Sequence, residues 1–211
     1  MRKTISFQRA VPYPYGVKKP IVIFLGAAVF VALVFGGCLS SRAGYESAPY
    51  HIVRSVGGFE LRDYPALKVV ETPMDGRTGD GSFGRLFGFI SGRNADGKKI
   101  AMTTPVFLSG NQTARTMAFV LPAEYASAPV PGPGDQAVAV RELPACRFAV
   151  LRFSGPRNST KEEEALLLLK NWMAAENLPV LGAPVYAYFD PPWTPGALRR
   201  NEVMVPTGSG R

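Results

Sequence analysis

Two runs in which apolar and polar residues alternate, Tyr50 to Val56 and Phe59 to Asp63, meet at Gly57-Gly58 and predict a β-hairpin. A third strand is predicted over Ala66 to Thr72, after Tyr64-Pro65. The polar loop Asp75 to Gly81 then leads into a stretch of helical spacing, Ser82 to Ser91. Leu86 and Ile90 mark the centre of its apolar stripe, Phe83 and Phe87 one edge and Phe89 the other, while Gly84, Gly88 and Ser91 leave a bare strip beside Phe87. Two glycines inside a helix cost roughly 1 kcal/mol each relative to Ala, so close packing or a ligand shelf must offset them. Past the turn Asn94 to Gly97, strands are predicted over Lys99 to Leu108 and Arg115 to Leu121. Pro105 donates no backbone hydrogen bond and is expected at an edge or a bulge. Ala128 to Gly134, with three prolines and two glycines, is a linker.

The chain beyond the linker repeats the chain before it. A shift of 79 residues lays Leu61-Arg62-Asp63-Tyr64-Pro65-Ala66 on Val140-Arg141-Glu142-Leu143-Pro144-Ala145, and Thr104-Pro105-Val106-Phe107 on Ala183-Pro184-Val185-Tyr186. The same shift sets the first helix on a second, Lys161 to Glu176; five further residues bring Phe119-Val120-Leu121-Pro122 onto Val203-Met204-Val205-Pro206. Each half reads strand, strand, helix, strand, strand. The expected fold is therefore α+β, a distorted antiparallel barrel of about eight strands with two helices packed outside. Pro105 and Pro184 become equivalent positions, which makes Lys99 to Val106 a matter of architecture before chemistry. The second helix is expected to be capped by Ser159 or Thr160, with Glu162 or Glu163 completing a capping box and an apolar face, Leu166 to Leu169, Trp172 and Met173, in the core.

Ahead of the hairpin lies a segment of a different kind. Seventeen uncharged residues, Ile21 to Gly37, come after Lys18-Lys19 and stop at Cys38. A basic region, an apolar run and small residues before a cysteine predict a bacterial lipoprotein signal peptide over residues 1–38 in which Cys38 is lipidated; an uncleaved anchor is the alternative. The motif Val34-Phe35-Gly36-Gly37-Cys38 resembles a lipobox, with Phe35 where Leu is usual. Either way the positive charges stay inside and the globular part faces the periplasm, at the outer membrane if lipidated. Residues 39–48 then form a tether, 49–206 the domain and 207–211 a disordered tail.

This segment also explains the formal charge of +8. Arg2, Lys3, Arg9, Lys18 and Lys19 belong to it, and the rest of the chain is nearly balanced, with basic residues scattered among acidic ones. Nucleic-acid binding is not expected. Enzymatic signatures are equally thin. There is one histidine, His51, and no G-x-S-x-G, so neither a Ser-His-Asp hydrolase nor a zinc set is supported. Cys146 sits in an apolar strand, where burial makes a thiol inert, and Glu60 and Asp63 face opposite sides of theirs. Gly79, Gly81 and Gly84 form G-x-G-x-x-G, but a polar loop precedes them in place of a strand, and they are better explained by a loop and a helix start.

Several motifs in order, Phe59-Glu60-Leu61-Arg62-Asp63-Tyr64, Lys99 to Val106, Phe119 to Pro122, Tyr188-Phe189-Asp190-Pro191-Pro192 and Arg199-Arg200-Asn201-Glu202-Val203, resemble the SOUL haem-binding protein family over about residues 45 to 206. That resemblance implies an eight-stranded barrel of two pseudo-repeats and non-catalytic binding of haem or another tetrapyrrole beside the first helix. It also implies apolar contact from Phe83, Phe87 and Ile90 and propionate partners among Arg85, Arg93, Arg199 and Arg200. Where some members carry an axial histidine this chain has Asp63, and where others have basic residues it has Asp80, Gly88 and Thr194. His51 is left as the one candidate axial ligand of iron. Two other readings stand beside this one: a small-molecule effector-type module, since the two-repeat barrel resembles effector-binding domains of bacterial regulators, and a structural envelope lipoprotein with a protein partner.

Overall fold

A computed structural model describes residues 44–75, 81–110, 115–191 and 193–209. The expected signal peptide, Cys38 and the first part of the tether lie outside the described residues. Among the described residues, eleven strands and two helices run in the order β1 (Glu46–Ser47), β2 (His51–Val56), β3 (Phe59–Tyr64), β4 (Leu67–Met74), α1 (Ser82–Ile90), β5 (Thr103–Thr104), β6 (Val106–Gly110), β7 (Arg115–Val120), β8 (Ala139–Leu143), β9 (Cys146–Ser154), α2 (Ser159–Ala175), β10 (Val185–Tyr188) and β11 (Arg200–Ser209). Nine of the strands form one sheet, ordered β2-β3-β9-β11-β10-β6-β7-β4-β8, with every pairing antiparallel.

The class is α+β as expected, but the sheet is not closed. Its outer strands, β2 and β8, do not pair with each other, so the eight-stranded barrel is replaced by an open nine-stranded sheet. The repeat is visible in the strand order. One half supplies β3, β4, α1, β6 and β7, the other β8, β9, α2, β10 and β11, and the halves meet at the central β6·β10 pair. Each half gives its first strand away: β3 pairs with β9, and β8 pairs with β4. The shift of 79 holds to the residue there, because Leu61↔Ala149 and Asp63↔Arg147 in one junction correspond to Val70↔Val140 and Lys68↔Glu142 in the other.

The alternation of side chains sorts the sheet into two faces. Val70, Leu108, Phe119, Ala149, Val203 and Val205 join the cluster covered by the helices, with α1 on β4 and β7 and α2 on β9 and β11. Val69, Phe107, Val120, Val150, Ala187 and Met204 join a second cluster on the opposite face, together with Ala48 and Phe189. These faces correct one equivalence. Phe107 lies on the face opposite the helices, whereas Tyr186 belongs to the helix face, so β6 does not map on β10 with the shift of 79. Pro105 and Pro184 are thus out of step, since a one-residue slip exchanges the faces of a strand. Pro105 itself, after a cis peptide, stands in the break between β5 and β6, where no ladder bond is required of it.

Other boundaries moved for identifiable reasons. Lys99 to Met102 is not strand; β5 instead pairs in parallel with β1, which draws the end of the expected tether into the fold and buries Ala48. β11 continues to Ser209, so residues 207–209 are strand where a tail was expected. Asn158, not Ser159 or Thr160, caps α2 by accepting the Lys161 N–H at 3.2 Å. Glu162 is buried instead of capping, and Leu167 and Leu168 are exposed while Ala165, Leu169 and Met173 fill the core.

Candidate functional site

The exposed surface of α1 carries the most unusual chemistry near a cleft. Leu86, Phe89 and Ile90 bury into the helix-side core, and that anchorage leaves Phe83 and Phe87, at 46% and 49% exposure, on the outside. Their rings stack, with centroids 5.9 Å apart and 12° between planes, and Phe83 also meets Phe119 of β7 edge-on at 5.2 Å. Phe83 thus ties the half-exposed pair to the sheet.

Beside it runs a cleft of about 500 Å³, lined by Gly81, Gly84, Arg85, Phe89, Arg93, Gly134, Asp135 and Val138. Gly84 bridges the two features, about 60° around the helix from Phe87. Gly81 caps α1 in the left-handed conformation, φ 78°, a backbone that favours glycine. Arg85 donates from Nε to Thr72 Oγ1 at 2.9 Å and from Nη2 to the Pro73 carbonyl at 2.8 Å, fixing its guanidinium against β4. Arg93, just beyond the helix, bonds through its main-chain N–H to the Gly88 carbonyl at 2.8 Å and through Nη2 to the Gly84 carbonyl at 3.0 Å. The cleft is completed by Gly134, at the end of the linker, and the residues after it: Asp135 Oδ1 accepts the Ala137 N–H at 2.8 Å, and Val138 is buried.

The structure brings together Phe83, Phe87, Arg85 and Arg93, and separates them from the other expected site residues. Ile90 is 5% exposed and faces the core, so it cannot touch a ligand lying on the aromatic pair. Arg200 shares a face with Met204, opposite to α1, where its guanidinium lies 4.0 Å from the Phe189 ring centroid and bonds Glu202. Arg199 precedes β11 and donates to the Thr194 carbonyl at 2.8 Å. His51 begins β2, at the sheet margin remote in strand order from β4 and β7; it sits opposite Asp63 in a separate cleft of about 420 Å³. Asp63 is held there by both Nε and Nη2 of Arg147, at 2.7 and 2.8 Å. Among the described residues, no three His, Cys, Asp or Glu side chains cluster as a metal site.

Two buried charged groups escaped the sequence reading. Arg62, 2% exposed, bonds Glu202, 0% exposed, at 2.7 and 3.1 Å, reaches Glu60 at 2.6 Å and lies 4.2 Å over the Tyr50 ring. Burial pushes the Tyr64 hydroxyl beside them up to about 12, against the opposing effect of the Arg62 charge. On the helix face, Glu162 accepts from Tyr188 and pairs with Arg115 at 3.1 Å. Burial first, and the bond to Glu162 second, raise Tyr188 well above the phenol range. Arg62 lies between Leu61 and Asp63 and Glu202 between Asn201 and Val203, so neither stands out in sequence as a buried charge.

Comparison with known proteins decides the family. The model of the SOUL heme-binding protein family matches residues 45–206. The chain belongs to the SOUL family. Among curated proteins, mouse (Mus musculus) heme-binding protein 2 is similar to this SOUL protein, 28% identical over 140 residues that cover 61% of this chain and 68% of the mouse protein. Solved structures share its fold at low identity. The C-terminal domain of EcmrR aligns with a TM-score of 0.53 at 14% identity, covering 74% of this SOUL chain and 96% of the domain. A hydrolase from Listeria innocua aligns at 0.54 and 8% identity, covering 74% and 94%.

Proposed function

We propose that this SOUL protein binds haem or a related tetrapyrrole without catalysing a reaction on it, on the outer face of α1, and that an N-terminal lipid or anchor holds the domain on the periplasmic side of the cell envelope. The observation that carries the binding reading is the stacked, half-exposed Phe83–Phe87 pair beside a cleft bearing Arg85 and Arg93. A flat apolar ring covers such a pair, and guanidinium groups at its border suit carboxylates at a macrocycle edge. These residues fit the ring and its propionates. They supply no imidazole, because His51 belongs to another part of the sheet. Recognition is therefore of the macrocycle and its acidic edge, held by apolar contact.

Titrating hemin into the full-length protein in detergent tests this through the Soret band. Phe83→Ala and Phe87→Ala are each expected to weaken binding about tenfold, from the loss of roughly 1–2 kcal/mol of apolar contact per ring. His51→Ala is expected to bind as the parent does. An absence of any band at micromolar protein and hemin would overturn the reading and favour a different small ligand or a protein partner.

A further inference from the structure

The space beside Gly88 is filled by the guanidinium of Arg93. A Cβ placed on Gly88 would stand 2.1 Å from Arg93 Nη2, 2.2 Å from Nε and 2.4 Å from Cζ. Gly84, by contrast, has nothing within 4 Å of its own Cβ position. The cost of a glycine inside a nine-residue helix is thus matched at position 88 by a contact, the seating of one cation across the helix surface. Three hydrogen bonds define the seat: the Arg93 N–H to the Gly88 carbonyl, Nη2 to the Gly84 carbonyl, and the Asn94 side-chain amide to the Phe89 carbonyl, which fixes the turn that aims Arg93 back.

We infer that Arg93, laid over Gly88, is the group that selects ligands with a carboxylate at the ring edge, and that Gly88 is a positioning residue for it. The inference rests on the proposed tetrapyrrole site and deepens it. Arg93 lines the cleft and is exposed, and its one bond to a carbonyl leaves further N–H donors on the guanidinium. Arg85, the other cation of the cleft, is engaged with Thr72 and Pro73. Asp135 also lines the cleft, and its charge disfavours a carboxylate placed close to it. A carboxylate meeting Arg93 gains a charge-assisted bond of fixed direction, and a neutral ester at the same place does not.

The test compares hemin with its dimethyl ester on the full-length protein in detergent at low salt. Arg93→Ala is expected to weaken hemin binding about tenfold and leave ester binding unchanged, and Arg93→Lys to recover part of the loss. Gly88→Ala, whose methyl group displaces the guanidinium, is expected to reproduce the Arg93→Ala pattern. Circular dichroism melts establish that each variant is folded, and Arg93→Ala carries the test alone if Gly88→Ala is not. The inference is overturned if Arg93→Ala binds hemin as the parent does, or if it loses hemin and ester equally. If the parent binds hemin and ester alike, selection by carboxylate fails while the ring site survives. If it binds neither, both readings fall.

Discussion

Replacing Glu202 by Leu tests what holds the face of the sheet opposite the helices. Glu202 is wholly buried and receives Arg62 on both carboxylate oxygens, at 2.7 and 3.1 Å, and Arg200 at 2.6 and 2.9 Å. Among the described residues, its removal leaves Arg62, 2% exposed, with Glu60, itself partly exposed, as the remaining carboxylate partner. Breaking one side of a buried pair costs about 3–5 kcal/mol, because the remaining ion keeps its desolvation penalty and loses its partner. In a domain of this size each kcal/mol lowers the melting temperature by roughly 2–4 °C, so a drop of roughly 6–20 °C is expected. Urea denaturation followed by circular dichroism measures the free energy directly, with an unchanged slope showing that the unfolded state is not altered. The double variant Glu202→Leu with Arg62→Met is expected to regain much of the loss, since two apolar groups leave no orphan charge. A single-variant loss below about 1 kcal/mol would refute the reasoning, for it would mean that the network is solvated in practice. Because these residues face away from α1, hemin affinity of the folded variant is expected to be unchanged.

Two further outcomes are expected from other parts of the molecule. Tyr64, Tyr186 and Tyr188 all keep their protons above the ordinary phenol value of 10.0, chiefly through burial, so their contribution to stability is intact below pH 10 and declines as pH rises through about 12, the value for Tyr64; tyrosinate absorbance at 295 nm should rise later in the native than in the urea-unfolded protein, and coincident curves would contradict this. Cys38→Ser is expected to abolish globomycin-sensitive processing of the chain expressed in a Gram-negative host, and unaltered processing would exclude lipidation at that residue.

The fold was legible where local pattern and long-range pairing agree. Gly57-Gly58 closes the β2–β3 hairpin with positive φ at both residues, and the segments 61–66 and 140–145 occupy equivalent places in the sheet. Closure was not legible, because whether β2 and β8 meet depends on the twist summed over nine strands, to which no short motif speaks. Of the candidate site, the aromatic pair could be read from helical periodicity, since Phe83 and Phe87 lie at the stripe's edge. The partition of the arginines could not. Arg199 and Arg200 look as available as Arg93 in sequence, and only the alternation of β11 shows Arg200 turned to the other face. Gly88 was legible as an anomaly, but its occupant comes from a turn five residues on, whose path is set by Asn94.

The exchange of first strands between the halves has an engineering meaning. Cut at the linker, the amino-terminal half would carry β3 with no β9 to receive it and would expose the margin of β4 that β8 covers; the other half would show the mirror-image defect. Neither piece is a self-sufficient domain. The two halves are thus related as the subunits of a strand-swapped dimer would be, with the Pro-rich segment 128–134 as the join between them. Co-expression of the two halves should rebuild the sheet, whereas neither half expressed alone should do so as a monomer.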